Sequence, residues 1–154
     1  MYQTILIPMD GSKRAEAILS HVENLGKTYA AKTIFLKVEE EPIMLGHDEV
    51  IDIVKYREEL ENRIKFSKAY LDTLKTKFCE KGIDAATRLA YGSVVKVILN
   101  VAAETGADLI AMTTHGCSGL ARVSYGSVAA GVLQAAGIPV LLIRSYTDKK
   151  EETC

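Results

Sequence analysis

The sequence predicts an α/β fold, a three-layer sandwich in which a five-stranded parallel sheet carries helices on both faces. Two observations predict this class. Short apolar runs alternate with segments of helical periodicity along the chain, and the runs are continuously apolar, as is typical of strands buried on both faces. A length of 154 residues suits one domain, which we expect to span residues 1–146, followed by a polar tail over residues 147–154.

The first half of the chain holds two predicted strands and two predicted helices. The apolar run over residues 4–9 is the first strand, and Ser12 is placed to cap the helix that follows, whose apolar positions recur at helical spacing over residues 15–25. Residues 33–38 form the second strand. A long helix follows, with apolar positions spread over residues 50–78.

The second half holds three strands and two helices. Residues 84–90 form a third, more polar strand, which we expect at an edge of the sheet. A helix over residues 93–106, an apolar strand over residues 108–112 and a short helix over residues 127–136 follow. The last strand spans residues 138–143.

The composition excludes several classes of function. Lys and Arg number 19 against 20 Asp and Glu, aromatic residues make up 6%, and there is no Trp, so neither a basic face nor a stacking platform for nucleic acid is indicated. The apolar runs are too short to span a membrane, and we expect no signal peptide at the N-terminus. The widely spaced Cys79, Cys117 and Cys154 favour a reducing, cytoplasmic location.

Topology predicts where a ligand would bind. In an open parallel sheet the crevice lies outside the carboxyl ends of the strands where strand order reverses, which here means between the first and fourth strands. Asp10 follows the first strand, and Gly116, Gly126 and Ser127 follow the fourth. A helix beginning at Ser127 would present free N–H groups to an anion, and Asp10 could accept hydrogen bonds from ribose hydroxyls. An ordinary glycine-rich loop remains the structural alternative.

The sequence also contains a short internal echo. Tyr91–Val94 reads Tyr-Gly-Ser-Val, and the same four residues recur at Tyr125–Val128. Each copy opens a predicted helix, so each could present backbone N–H groups. We expect the first copy to lie at the far edge of the sheet, which makes the second copy the better candidate for an anion site.

These residues resemble the universal stress protein family. Residues 5–12 resemble its opening strand and Asp, residues 36–38 resemble the end of its second strand, and residues 108–143 resemble its nucleotide-binding loop, last helix and closing strand. The family signature is Gly, two residues, Gly, nine residues, Gly, then Ser or Thr. Gly116, nine residues, Gly126 and Ser127 match this spacing.

The resemblance implies a strand order of 3-2-1-4-5, the adenine nucleotide alpha hydrolase-like fold, and a ligand that is ATP or another adenine nucleotide, with Mg²⁺ as a possible companion. By this resemblance, residues at the end of the first strand contact the ribose and the adenine, and a residue at the end of the second strand contacts the adenine. Residues at the end of the fourth strand and in the loop after it lie beside the ribose and the phosphates, and the start of the last helix binds the phosphates. In chain order these residues are Pro8, Met9, Asp10, Val38, Met112, Thr113, His115, Gly116, Gly126, Ser127, Val128 and Ala129.

Two positions depart from the family pattern. Thr113 stands where the signature has its first Gly, and we expect its side chain to crowd the ligand or restrict the backbone. Cys117 stands where many members carry a basic residue, which removes one charge that would attract phosphate. Arg122 is a candidate to compensate, with a solvent-facing side chain as the alternative.

The preferred function is a nucleotide-binding regulatory protein that acts in a stress response through its conformation or its partners. The alternatives are a slow ATPase and a dimeric stress protein that binds no nucleotide. The Gly-x4-Gly-Lys-Ser/Thr loop of efficient ATPases does not occur, and no catalytic residue is assigned. The resemblance implies a homodimer formed by the last strand, through Val140, Leu141, Leu142 and Ile143, and we expect no nucleic-acid or membrane partner.

Overall fold

The computed structural model describes residues 1–40, 53–115 and 126–145. Strands and helices alternate in the predicted order, and a 3₁₀ turn at Ala15–Ile18 leads into the first helix. The elements are β1 (Thr4–Pro8), α1 (Leu19–Tyr29), β2 (Lys32–Glu39), α2 (Ile53–Glu80), β3 (Ala85–Tyr91), α3 (Val94–Thr105), β4 (Leu109–Thr113), α4 (Ser127–Ala135) and β5 (Val140–Ile143).

The five strands form one parallel sheet in the order β3-β2-β1-β4-β5, which confirms the predicted fold class. The more polar β3 lies at one edge, as its composition predicts, and β5 lies at the other. The carboxyl half of α2 packs beneath the sheet through Leu71, Leu74 and Phe78, while none of residues 53–66 is buried.

The sheet divides two apolar cores, because alternate side chains of each strand point to opposite faces. Ile5, Ile7 and Phe35 pack with α1 and α2 on one face, whereas Leu6 and Ile110 pack with α3 and α4 on the other. All five of these side chains are fully buried. Strands covered on both faces must be continuously apolar, which explains the runs in the sequence.

The junction between β1 and β4 creates the opening for a site. These two strands pair only at Ile5↔Leu109 and Leu6↔Ile110, although β1 continues to Pro8 and β4 continues to Thr113. In contrast, β1 and β2 stay paired along all of β1, as far as Pro8↔Leu36. The carboxyl ends of β1 and β4 therefore separate, and a crevice opens between them at the point where the strand order reverses.

Among the described residues, no helix combines the length and the apolar character needed to cross a bilayer. Nor do three or more His, Cys, Asp or Glu side chains within residues 1–40, 53–115 and 126–145 form a cluster that could hold a metal ion.

Candidate functional site

A cavity of about 200 Å³, hereafter the cleft, lies at the carboxyl edge of the sheet between β1 and β4 on the α3–α4 face. Its wall is apolar on the side of the helices, and its polar groups come from strand ends and from the start of α4. Its lining residues are Pro8, Met9, Asp10, Ala15, Leu36, Lys37, Val38, Val94, Ile98, Met112, Thr113, Thr114, Gly126, Ser127, Val128 and Ala129.

The cleft gathers residues from widely separated parts of the sequence. Every candidate site residue that the structure describes lines it, except His115. Gly116 lies outside the described residues, as do Cys117 and Arg122. The candidates therefore share one cavity because the ends of β1, β2 and β4 meet the first turn of α4 at one edge of the sheet.

Asp10 stands at the mouth of the cleft in a tight turn after β1. Its Oδ1 accepts a hydrogen bond from the backbone N–H of Ser12 at 2.8 Å and another from the Ser12 hydroxyl at 2.6 Å. The Ser12 oxygen accepts in turn from the N–H of Ala15 at 3.2 Å, where the 3₁₀ turn begins. Ser12 thus bonds to the first residue of the 3₁₀ turn, but the N-cap residue of that turn is Arg14 and that of α1 is Ile18, so the predicted N-cap position of Ser12 is wrong. Asp10 is oriented by the same turn.

The first turn of α4 forms the opposite side of the cleft. Gly126 is the N-cap residue, and its carbonyl accepts the first intrahelical hydrogen bond, from Ala130 N–H at 3.0 Å. The N–H groups of residues 127–129 precede that bond, so the helix itself supplies them with no acceptor. The first turn of a helix attracts negative charge, because its N–H dipoles point outward there.

Two threonines shape the end of β4. The Thr113 hydroxyl donates to the carbonyl of His115 at 2.9 Å, and the Thr114 hydroxyl lies 3.0 Å from His115 Nδ1. The His115 carbonyl also accepts from the Ser145 hydroxyl at 3.4 Å. The backbone of Thr113 does not have the positive φ that would require glycine, and its hydroxyl is bonded within its own turn.

Beside the cleft lies a buried ionic cluster that sequence reasoning missed. Glu39, which is only 8% exposed, receives hydrogen bonds from Lys37 at 2.8 Å, from Arg63 at 3.0 Å and from the Ser67 hydroxyl. Burial raises the pKa of Glu39, but the bonds from Lys37, Ser67 and Arg63 outweigh burial and lower it to about 2. The sequence did contain spacings that could have indicated this cluster. Lys37 and Glu39 lie on the same face of a strand, and Arg63 and Ser67 lie one helical turn apart.

A second cavity, of about 750 Å³, adjoins the cleft on the α2 side and shares Asp10 and Lys37 with it. Tyr70 lines this cavity, and its hydroxyl donates to Glu16 at 3.5 Å. Burial raises the pKa of the Tyr70 hydroxyl well above its usual range, and the carboxylates of Glu16 and Asp10 raise it further. Asp10 therefore faces space on both sides of the sheet edge.

A third cavity involves both copies of the internal echo. Gly92 and Ser93 directly follow β3, so they lie at the far edge of the sheet, as expected. They nevertheless line a cavity of about 400 Å³ together with Ser127 and Val128, because α3 and α4 pack side by side on one face. Glu40 lines the same cavity and adds a carboxylate to it.

Sequence comparisons match this architecture to known proteins. The sequence model of the universal stress protein family matches residues 1–144. Universal stress protein YxiE of Bacillus subtilis is 32% identical over 149 residues, which cover 94% of this chain and all of that protein. Universal stress protein MJ0577 of Methanocaldococcus jannaschii is 29% identical over 158 residues, covering 94% of this chain and 96% of that protein.

Solved structures match as well. The structure of MJ0577 superimposes with a TM-score of 0.83 at 28% identity and covers 96% of this chain and 99% of that one. A universal stress protein in complex with cAMP has a TM-score of 0.66 at 22% identity, covering 94% of this chain and 98% of that one. One from Archaeoglobus fulgidus in complex with dAMP has a TM-score of 0.63 at 20% identity, covering 92% and 97%. Family match, relatives and fold agree, and the chain belongs to the universal stress protein family.

Proposed function

We propose that this chain is an ATP-binding regulatory protein that acts in a stress response through its conformation or its partners. One observation carries the proposal: a single cavity holds the Asp10 carboxylate, the end of β4 and the first turn of α4. These groups would contact the ribose and the phosphate chain of a bound nucleotide. Other adenine nucleotides fit the same description, and ATP is the member that we propose.

The chemistry of the cleft supports a nucleotide in a defined orientation. Val38, Ile98 and Met112 offer apolar surface for a purine ring, and Asp10 offers a carboxylate for hydroxyl donors. The N–H groups at the start of α4, with the Ser127 hydroxyl, would face the phosphates. Asp10 and Ser127 could also hold a Mg²⁺ ion that accompanies the phosphates, since this ion prefers oxygen ligands.

The relatives support the ligand class at a coarser level. Proteins of this fold occur in complexes with cAMP and with dAMP, both of which are adenine nucleotides. Both proteins are under 25% identical to this chain, so their similarity to it concerns the fold and not the individual site residues. The proposal of ATP therefore rests on the residues that line the cleft of this chain.

We also propose a cytoplasmic homodimer. β5 lies at an edge of the sheet, and Val140, Leu141, Leu142 and Ile143 are all half-buried in the single chain. An apolar edge strand can pair with the same strand of a second copy and form a two-fold interface. The separated cysteines of the sequence are compatible with a reducing compartment.

The nucleotide is tested first by mass spectrometry of the denatured, freshly purified protein, and then by calorimetric titration with Mg-ATP. We expect a co-purified adenine nucleotide, or saturable binding of one nucleotide per chain, and binding weakened about tenfold or more in Ser127→Pro. Gly137→Ala is the matched control, because an added Cβ at Gly137 meets no atom within 4 Å. Absence of both bound and titrated nucleotide would overturn the proposal.

Turnover separates a binding protein from a slow ATPase. In a single-turnover assay with limiting labelled ATP, we expect the wild-type protein to release no more phosphate than Asp10→Ala. Phosphate release that is faster than in this variant and proportional to protein concentration would instead favour the enzyme, since Asp10 is the carboxylate among the described residues that line the cleft.

A further inference from the structure

Ser12 is a buried serine whose hydroxyl is used twice. It is 7% exposed, it donates to Asp10 Oδ1 at 2.6 Å, and it accepts from Ala15 N–H at 3.2 Å. Only the second of these bonds holds the start of the 3₁₀ turn. The first bond connects Ser12 to a carboxylate that lines the cleft, so Ser12 contacts the site as well as the helical turn.

We propose that Ser12 is a positioning residue. It holds the Asp10 carboxylate in the orientation in which that group can accept hydrogen bonds from the ribose hydroxyls of a bound nucleotide. This inference rests on the proposed function. Ser12 does not line the cleft, so it would act through Asp10 and not by touching the ligand.

The geometry explains how Ser12 restrains this carboxylate. Both the N–H and the O–H of Ser12 end on the same oxygen, Oδ1, and two bonds to one oxygen restrict rotation about both side-chain torsions of Asp10. Gly11 makes the arrangement possible, because its φ of +86° turns the chain so that Ser12 folds back over Asp10. The Ser12 oxygen also accepts from the N–H of Ala15, which ties the arrangement to the start of the 3₁₀ turn.

The energetic benefit is preorganisation. Asp10 is exposed at the mouth of the cleft, where an unrestrained side chain would sample several rotamers. A carboxylate that is already oriented loses less conformational entropy when it accepts hydrogen bonds from a ligand. The gain applies only to ligands with hydroxyls for Asp10 to accept from, which separates positioning from general stabilisation of the fold.

The decisive measurement compares two probes, ATP and dideoxy-ATP, which lacks both ribose hydroxyls. In the wild-type protein we expect ATP to bind more tightly. In Ser12→Ala we expect affinity for ATP to fall by about three- to tenfold, as expected for one weakened hydrogen-bonding group, while affinity for dideoxy-ATP stays within about twofold. The ratio between the two probes should shrink in the same way in Asp10→Asn.

Thr33→Val is the matched control for stability. The Thr33 side chain is fully buried, and its hydroxyl donates to the Asp84 carbonyl at 3.0 Å at the opposite end of β2. This variant loses a buried hydroxyl bond without touching Asp10, so its ratio between ATP and dideoxy-ATP should equal that of the wild type. An equal drop for both probes in Ser12→Ala would reduce Ser12 to a structural role and overturn the inference.

A second readout needs no nucleotide. The NMR coupling between the Asp10 backbone nitrogen and its carboxyl carbon reports the rotamer. Ser12→Ala keeps the backbone N–H bond to Oδ1 and loses the hydroxyl bond, so we expect one rotamer in the wild type and a measurably larger share of other rotamers in the variant. An unchanged coupling in Ser12→Ala would refute positioning even if nucleotides bind. Failure of the wild type to bind either probe would refute the proposed function and the role of Ser12 with it, whereas unchanged discrimination in Ser12→Ala would refute only that role.

Discussion

The backbone N–H of Gly126 donates to the carbonyl of Thr114 at 2.7 Å and so joins the start of α4 to the end of β4. A Cβ atom added at Gly126 would lie 3.0 Å from that same carbonyl oxygen. The φ of Gly126 is −67°, which any residue can adopt. Glycine is therefore needed at this position for close approach to neighbouring backbone, and the contact sets where the first turn of α4 faces the cleft.

Replacing Gly126 with alanine should push the start of α4 away from β4. We expect ATP affinity to fall by about tenfold, which corresponds to about 1.4 kcal/mol, because displaced N–H groups would meet the phosphates poorly. Calorimetric titration checks this against Gly137→Ala, which also adds one methyl group and should bind as the wild type does. Unchanged affinity in Gly126→Ala would mean that the first turn of α4 does not hold the ligand.

The role of the Ser127 amide can be separated from that of its hydroxyl. Ser127 is the first residue of α4, a position at which proline is tolerated because the helix does not use that N–H. Gly126 has the extended conformation that a following proline requires. We expect Ser127→Ala to weaken ATP binding about threefold and Ser127→Pro to weaken it about tenfold or more, since a hydrogen bond from N–H to a charged phosphate is the stronger one.

Equal affinities in the two Ser127 variants would contradict this ranking. Circular dichroism and a thermal midpoint close to that of the wild type should accompany both variants, because neither change removes a hydrogen bond within α4. A large loss of helix in Ser127→Pro would instead show that the first turn of α4 needs this N–H for its own structure.

The fold was predictable because its two signals are local. Continuous apolar runs such as that over residues 4–9 report burial on both faces, and helical spacing between them reports the covering helices. The position of the cleft followed from the rule that ligands bind at the carboxyl ends of the strands, and Asp10 and Ser127 do line one cavity there. Neither step needs knowledge of how side chains pack.

The features that escaped prediction depend on contacts between distant segments. Glu39 meets Arg63 and Ser67 only because α2 crosses the end of β2, 24 and 28 residues later in the chain. Gly92 and Ser127 share a cavity only because α3 and α4 pack together. The residue pattern within a single strand or helix does not predict contacts between elements that are distant in the sequence.

Thr113 departs from the family signature, and its structure predicts the result of restoring glycine. Thr113 has no positive φ, and its hydroxyl donates to His115 in the same turn. Thr113→Gly should therefore lower the free energy of unfolding by about 1–2 kcal/mol, through lost strand propensity and a lost hydrogen bond, without tightening ATP binding. Urea unfolding and calorimetric titration check both parts. Tighter binding in Thr113→Gly would show that the threonine side chain does crowd the ligand.

Glu39 should make folding stability depend on pH in the acid range. Its pKa is about 2 in the folded protein against 4.5 for an ordinary Glu, so its stabilising effect is complete above about pH 5 and is lost as the pH falls towards 2. A shift of this size corresponds to at most about 3 kcal/mol. Glu39→Gln should be less stable than the wild type near neutral pH, and the difference should shrink with falling pH.

Urea midpoints measured at several pH values between about 7 and 2 provide the test of Glu39. Glu104→Gln is the control, because Glu104 pairs with Arg88 at an exposed position where an ion pair contributes little. A constant difference between wild type and Glu39→Gln across this range would mean that Glu39 is not the group that titrates.

The proposed dimer depends on β5 and is open to a single substitution. Leu142 is half-buried on this edge strand, and Leu142→Lys would place two positive charges close together across a two-fold strand pair. We expect sedimentation equilibrium at micromolar concentration to show a dimer for the wild type and a shift towards monomer for the variant. Leu133→Lys is the matched control, because Leu133 is 44% exposed on α4, outside β5, and we expect a charge there to leave the association unchanged. A monomeric wild type would contradict the proposed dimer. An unchanged dimer in Leu142→Lys would mean that the dimer interface does not include β5.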